Sequence, residues 1–182
     1  MVYVHLAYGF EEIEALTVVD ILRRGGVEVE TVSITDELNV VGAHEIQVTT
    51  DITFANADYD ECEMIVLPGG LPGATNLRDH EGLKAKVCQF AETNKWIAAI
   101  CASPSVILGA YGLLENHKAT CYPGMEEGMI GAKAENVGAI CDDNIITGKG
   151  PAYATEFALL ILEKLTNESN AGSVASGFLY ER

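Results

Sequence analysis

The 182 residues suit one compact domain, 1–182, large enough to bury about 70% of its unfolded surface without metal or disulfide staples. Lys and Arg total 11 against 27 Asp and Glu, a net charge of −16 with the acids scattered, and Arg23-Arg24 is the one adjacent basic pair, so the composition argues against a nucleic-acid partner. Five cysteines, Cys62, Cys88, Cys101, Cys121 and Cys141, lack CxxC or Cys/His spacing, and no apolar stretch approaches the roughly 18 residues of a membrane span. The N-terminal MVYVHLAYGF carries no basic leader or cleavable apolar core, and the expectation is a cytoplasmic protein with reduced thiols, no membrane association and no metal or cofactor.

Val2 to Ala7 reads as a short apolar strand. A helix follows, with Ile13, Leu16, Val19 and Leu22 at helical spacing until Gly25-Gly26 stops it. Val27 to Ile34 is a second strand whose pattern assigns no clear face, and the runs Leu38–Val41 and Glu45–Thr49 flank Gly42-Ala43-His44 as a hairpin. Glu63 to Leu67 is a buried strand ending in Pro68-Gly69-Gly70, and a loop through Pro72-Gly73 leads to a helix from about Glu81 to Thr93.

The most informative stretch is Trp96 to Gly109, WIAAICASPSVILG. Its apolar run has strand length and stops at Cys101, and a helix-compatible segment starts at Pro104, where a missing N–H costs nothing. Cys101 therefore sits at a strand-to-helix turn, facing the first free N–H groups, those of Ala102 and Ser103, and the positive end of the helix dipole. Both favour thiolate. Against this stands the ordinary role of a free cysteine as a small core hydrophobe.

A short strand near Ala119–Cys121, a weakly patterned stretch from Met125 to Gly138, a strand pair around Ala139–Thr147 and a clear helix over Ala154–Leu165 complete the pattern, with a final helix within Ser169–Arg182. Strands alternating with helices predict a doubly wound, mostly parallel α/β sheet with helices on both faces and a β-hairpin insertion. Ligands in that architecture bind outside the carboxyl ends of the strands. Three features share that rim: the segment with Glu11, Glu12 and Glu14, the Gly69-Gly70 turn and the Cys101 turn.

The segments YGFEEIEALTVVDILRRGG, VVGAHEI, IVLPGG, WIAAICASPSVIL and GKGPAYATEFALLIL, in this order and spacing, resemble the ThiJ/PfpI superfamily, and most closely its DJ-one branch, named for the parkinsonism-associated protein. The resemblance implies a flavodoxin-like sandwich, a homodimer, and a reactive cysteine on a strained nucleophile elbow. It places that cysteine at Cys101, its neighbouring acid at Glu14, and oxyanion-binding N–H groups at Gly70 and Ala102. A carboxyl and a thiol in contact cannot both ionise cheaply, so the two should titrate as a coupled pair. Glu14 has a second reading as an exposed first-turn acid serving the helix dipole, the reading given to Glu11 and Glu12. Gly69 and Gly70 have one as turn residues needing positive φ.

Relatives with aldehyde chemistry carry a histidine beside the cysteine, and KATCYPG puts Tyr122 there, a poor general base with a pKa of about 10. His117 and His44 do not substitute, and His5 reads as structural. Protease-like members carry a histidine directly after the nucleophile, where this chain has Ala102, so peptidase activity is disfavoured. Cys121 reads as a core cysteine rather than a resolving thiol. The implied function is a cofactor-free stress protein whose Cys101 meets peroxide and small reactive carbonyls or glycated adducts, in glyoxalase or deglycase fashion. The rival is a non-enzymatic redox sensor or chaperone. A thiamine-biosynthesis role lacks any phosphate-binding GxxxxGK.

Overall fold

The computed structural model describes residues 1–181. In chain order the elements are β1 (Val2–Leu6), α1 (Glu12–Arg24), β2 (Val29–Ser33), β3 (Asn39–Val41), β4 (Gln47–Thr49), β5 (Ile52–Thr53), β6 (Met64–Leu67), α2 (Gly73–Asp79), α3 (Glu81–Glu92), β7 (Trp96–Ile100), a π-helical segment (Pro104–Gly109), β8 (Lys118–Ala119), β9 (Lys133–Ala134), β10 (Ala139–Asp142), β11 (Ile145–Gly148), α4 (Ala154–Leu165) and α5 (Glu168–Gly177). Seven strands form one sheet in the order β10-β11-β7-β6-β1-β2-β5. Only the β10–β11 pairing is antiparallel.

The strand sequences explain the layers. Successive side chains point to opposite faces, and a strand covered on both sides is apolar at every position. Val2, Val4 and Leu6, Met64 and Val66, and Ala98 and Ile100 join one apolar layer with Phe157 and Leu162 of α4 and Val18 and Leu22 of α1. Tyr3, Ile65, Leu67, Ile97 and Ala99 join the other with Leu83, Val87 and Phe90 of α3. β2 follows the same logic, sending Val29 to the first layer and Val32 to the second, which is why its sequence pointed to no single face. This is the expected flavodoxin-like α/β architecture.

The hairpin forms a separate antiparallel pair, β3 with β4. Several elements differ from expectation. The loop through Pro72-Gly73 continues directly into α2, and edge strand β5 was not foreseen. β9 emerges from the weakly patterned Met125–Gly138 stretch to pair with β8. The helical segment expected from Pro104 is a six-residue π-helix. The tail forms α5 within the expected span, whose last residue, Arg182, lies outside the described residues. No helix among the described residues is long and apolar enough to cross a membrane.

Candidate active site

β7 ends at Ile100, and the chain turns at Cys101 with φ 65°, a left-handed conformation that side chains other than glycine rarely adopt. The turn is held by its neighbours: the Cys101 N–H donates to the Gly148 carbonyl at 2.9 Å, and the Cys101 carbonyl accepts from the Tyr122 N–H at 2.8 Å. A backbone pinned on both sides can sustain the roughly 1–3 kcal/mol that such a conformation costs.

The thiol is 8% exposed and lies across Gly69 from Glu14, which is wholly buried. Gly69 is glycine for space rather than φ. A Cβ there would sit 2.7 Å from both the Cys101 Cβ and Glu14 Oε2, and 3.1 Å from the Cys101 Sγ, so only a bare Cα lets the two side chains converge. The positive φ of the turn falls on Gly70, at 83°. The Gly69 N–H donates to Glu14 Oε2 at 2.7 Å, and the buried carboxyl also meets the Cys101 thiol.

Burial pushes the Glu14 carboxyl up to about 7, against the lowering effect of Cys101 and the Gly69 N–H. Burial, reinforced by the Glu14 charge, pushes the Cys101 thiol up to about 12, although the Ala102 and Gly70 N–H groups favour its charged form. The N–H groups act in the expected direction but are outweighed by burial and by a carboxylate next door. Above about 7 the pair holds a single proton, which these shifts leave on the Cys101 sulfur for most of the time.

Ser103, absent from the expected set of site side chains, donates its buried hydroxyl to the Pro68 carbonyl at 2.5 Å. A serine before proline signals a helix N-cap, yet its side chain makes no capping bond here. Nothing in the linear sequence reveals that its partner lies in the turn just after β6.

The other expected neighbours make contacts of their own. Tyr122 meets Cys101 through its backbone, while its ring, in a residue 48% exposed, lies beside Gly150 and lines a cavity of about 350 Å³ with Lys149, Pro151 and Tyr153. Cys121 is buried in the opposite apolar layer, its Sγ donating to the Tyr122 carbonyl at 3.4 Å. Glu11 and Glu12 are not solvated dipole partners, since both are buried. Glu12 Oε1 accepts from the His44 N–H at 2.8 Å and Oε2 pairs with His44 Nδ1 at 2.9 Å, clamping the hairpin to α1. Among the described residues Glu11, Glu12 and His44 alone gather metal-ligand atoms within 4.8 Å, and the His44 contacts already engage both oxygens of Glu12. The remaining histidines are placed elsewhere: His5 Nε2 on the Tyr59 hydroxyl, His80 capping α3, and His117 beside Asp142.

The DJ-1/PfpI family model matches residues 1–164. The chain is 34% identical over 177 residues to protein dj-1beta of Drosophila melanogaster, covering 96% of this chain and 94% of that one. It is 34% identical over 175 residues to protein DJ-1 homolog B of Arabidopsis thaliana, covering 96% of this chain but spanning only 40% of that relative's length. The oxidized form of Toxoplasma gondii DJ-1 superposes with a TM-score of 0.95 at 36% identity, covering 100% of this chain and 98% of that one. The chain belongs to the DJ-1/PfpI family.

Proposed function

We propose that this is a DJ-one-like stress-response protein whose reacting group is the Cys101 sulfur, with Glu14 as its proton partner. The carrying observation is the convergence of a strained, nearly buried thiol and a buried carboxyl across Gly69, with Gly70 and Ala102 N–H groups at the sulfur. When the shared proton rests on Glu14, the sulfur is a thiolate flanked by three donors. Its attack on hydrogen peroxide forms an S–O bond and breaks O–O, and the departing hydroxide takes the Glu14 proton to leave as water. A second peroxide converts the sulfenic acid to the sulfinic acid, again releasing water. The two N–H groups and protonated Glu14 suit a sulfinate's oxygens.

The same thiolate can add to the carbonyl carbon of a small aldehyde, giving a hemithioacetal. Gly70 and Ala102 N–H groups hold the oxyanion, and Glu14 moves the proton needed for rearrangement or hydrolysis. None of the chain's four histidines takes part, because each is engaged elsewhere. That observation favours the sensor reading as the runner-up, with one oxidation per molecule and no fast turnover. The reading includes a reducing cytoplasmic setting and a homodimer, for which the exposed Ile13 and Leu16 of α1 offer apolar surface.

Mass analysis after graded peroxide tests the proposal. Sulfinic acid should form first on the Cys101 peptide, and first oxidation on any other cysteine overturns the reading. Methylglyoxal consumption separates its two versions: continued turnover, lost in Cys101→Ser, identifies an enzyme, whereas a stoichiometric burst identifies a sensor.

A further inference from the structure

The peptide joining Pro68 to Gly69 is hydrogen-bonded at both ends. Its carbonyl accepts from the Ser103 hydroxyl at 2.5 Å, and its N–H donates to Glu14 Oε2 at 2.7 Å. The following N–H, that of Gly70, favours the charged form of the Cys101 sulfur. Ser103 itself stands two residues beyond Cys101, on the far side of the elbow. One hydroxyl thus ties the end of β7 to the end of β6 at the point where the turn meets both reacting groups. We propose that Ser103 is a positioning residue of the Cys101 site, holding the Gly69-Gly70 turn where one N–H meets Glu14 and the next meets Cys101.

Three physical points carry this. A buried hydroxyl needs a partner, and Ser103 spends its proton on the turn rather than on its own helix start. A hydrogen bond into a carbonyl polarises the N–H of the same peptide, so Ser103 strengthens the donor that Glu14 receives. The fixed turn also serves the pair wherever its proton sits: the Gly69 N–H stabilises a Glu14 carboxylate and the Gly70 N–H a Cys101 thiolate. Either way the singly charged pair is favoured over the neutral one. Releasing the turn must therefore raise the pH at which the pair loses its first proton.

The inference rests on the reading of Cys101 as the reacting group, and one experiment separates their failures. The rate of Cys101 alkylation by iodoacetamide is followed against pH, with the labelled peptide identified by mass. Ser103→Ala should move the lower midpoint up by about 0.5 to 1 pH unit, the worth of one hydrogen bond. Ser103→Thr, which keeps a hydroxyl, should restore it, and Ser103→Gly serves as a second hydroxyl-free variant if the alanine protein does not fold. Ser105→Ala is the control, since its hydroxyl ties the same segment to the Met125 carbonyl at 2.7 Å and not to the turn. A Ser103→Ala midpoint equal to wild type, or an equal shift in Ser105→Ala, overturns the positioning role while leaving Cys101 reactive. A wild-type profile with no ionisation step below about 8.5, the free-thiol value, overturns the reading of Cys101 and this inference with it.

Discussion

Two buried titratable pairs sit on the same sheet and differ in almost everything but burial. His5, in the middle of β1, shares a 2.7 Å hydrogen bond with Tyr59, and burial pushes the imidazole down to about 3 and the Tyr59 phenol up. Each is driven to its neutral form, and two neutral groups rest together at little electrostatic cost. Cys101 and Glu14 are as deeply placed, but both neutralise by holding a proton, and N–H groups from Gly69, Gly70 and Ala102 reward giving one up. Burial alone makes a quiet pair. Burial opposed by fixed donors, at a residue held at φ 65°, makes a reactive one.

The most severe way to break this contrast is Gly69→Ala. Its new methyl meets Cys101 and Glu14 at 2.7 Å, so the pair must separate or the turn must shift. Overpacking of this kind costs about 1–3 kcal/mol. Chemical denaturation should show that loss, and Cys101 alkylation at neutral pH should fall at least tenfold. An alanine variant with wild-type reactivity would show that contact across Gly69 is unimportant.

Glu14→Gln sharpens the comparison by leaving shape and removing charge. The Glu14 carboxylate raises the Cys101 thiol, second only to burial, so its removal should let the thiol ionise below about 12. The two-step alkylation profile should collapse to one step. With no proton to give, the variant should yield less sulfinic acid per peroxide at pH 7 although its thiol is the more acidic. A retained two-step profile would assign the second group to some residue other than Glu14.

The quiet pair should answer to acid and not to peroxide. His5 has a folded-state value near 3 against 6.5 unfolded, so between those values the unfolded chain binds the extra proton. Its contribution is complete above pH 6.5 and is lost as pH falls toward 3, with a slope of up to about 1.4 kcal/mol per pH unit. A His5→Leu/Tyr59→Phe double variant should flatten that part of the stability curve. Removing both partners spares the cost of leaving one unpaired, and Cys101 oxidation should be unchanged. Acid sensitivity identical to wild type would place the proton uptake elsewhere.

The pairs also differ in how far the sequence announces them. The Cys101 turn was legible because an apolar run stops there and a helical segment opens at Pro104, and β6 and β7 were legible as unbroken apolar runs. The convergence with Glu14 was legible only through family resemblance, since helical spacing leaves an acid two residues into α1 equally suited to solvent. Gly69 read as a turn residue, but its requirement is space, which depends on what two distant elements aim at it. Ser103 and the Glu12–His44 clamp stayed hidden for the same reason. Each is a hydrogen bond between segments more than thirty residues apart, and no local pattern records it.

That clamp gives the smallest effect. His44 is raised above its usual 6.5 first by its bond to Glu12 and then by the Glu11 and Glu12 charges, while the bonds from His44 overcome burial and hold Glu12 low. The His44 contribution is therefore complete below pH 6.5 and fades as pH rises through its folded value. The Glu12 contribution is complete above 4.5 and fades as pH falls through its lowered value. Between 4.5 and 6.5 both are present, and amides of the hairpin loop at Ala43 and His44 should show their largest protection relative to the intrinsic exchange rate there, by a few-fold at most because the imidazole faces solvent. His44→Ala should erase this window without moving the Cys101 profile. An accompanying change at Cys101 would mean that α1 transmits the state of the hairpin to Glu14, one half-turn along, and that the reactive pair is less insulated than its burial suggests.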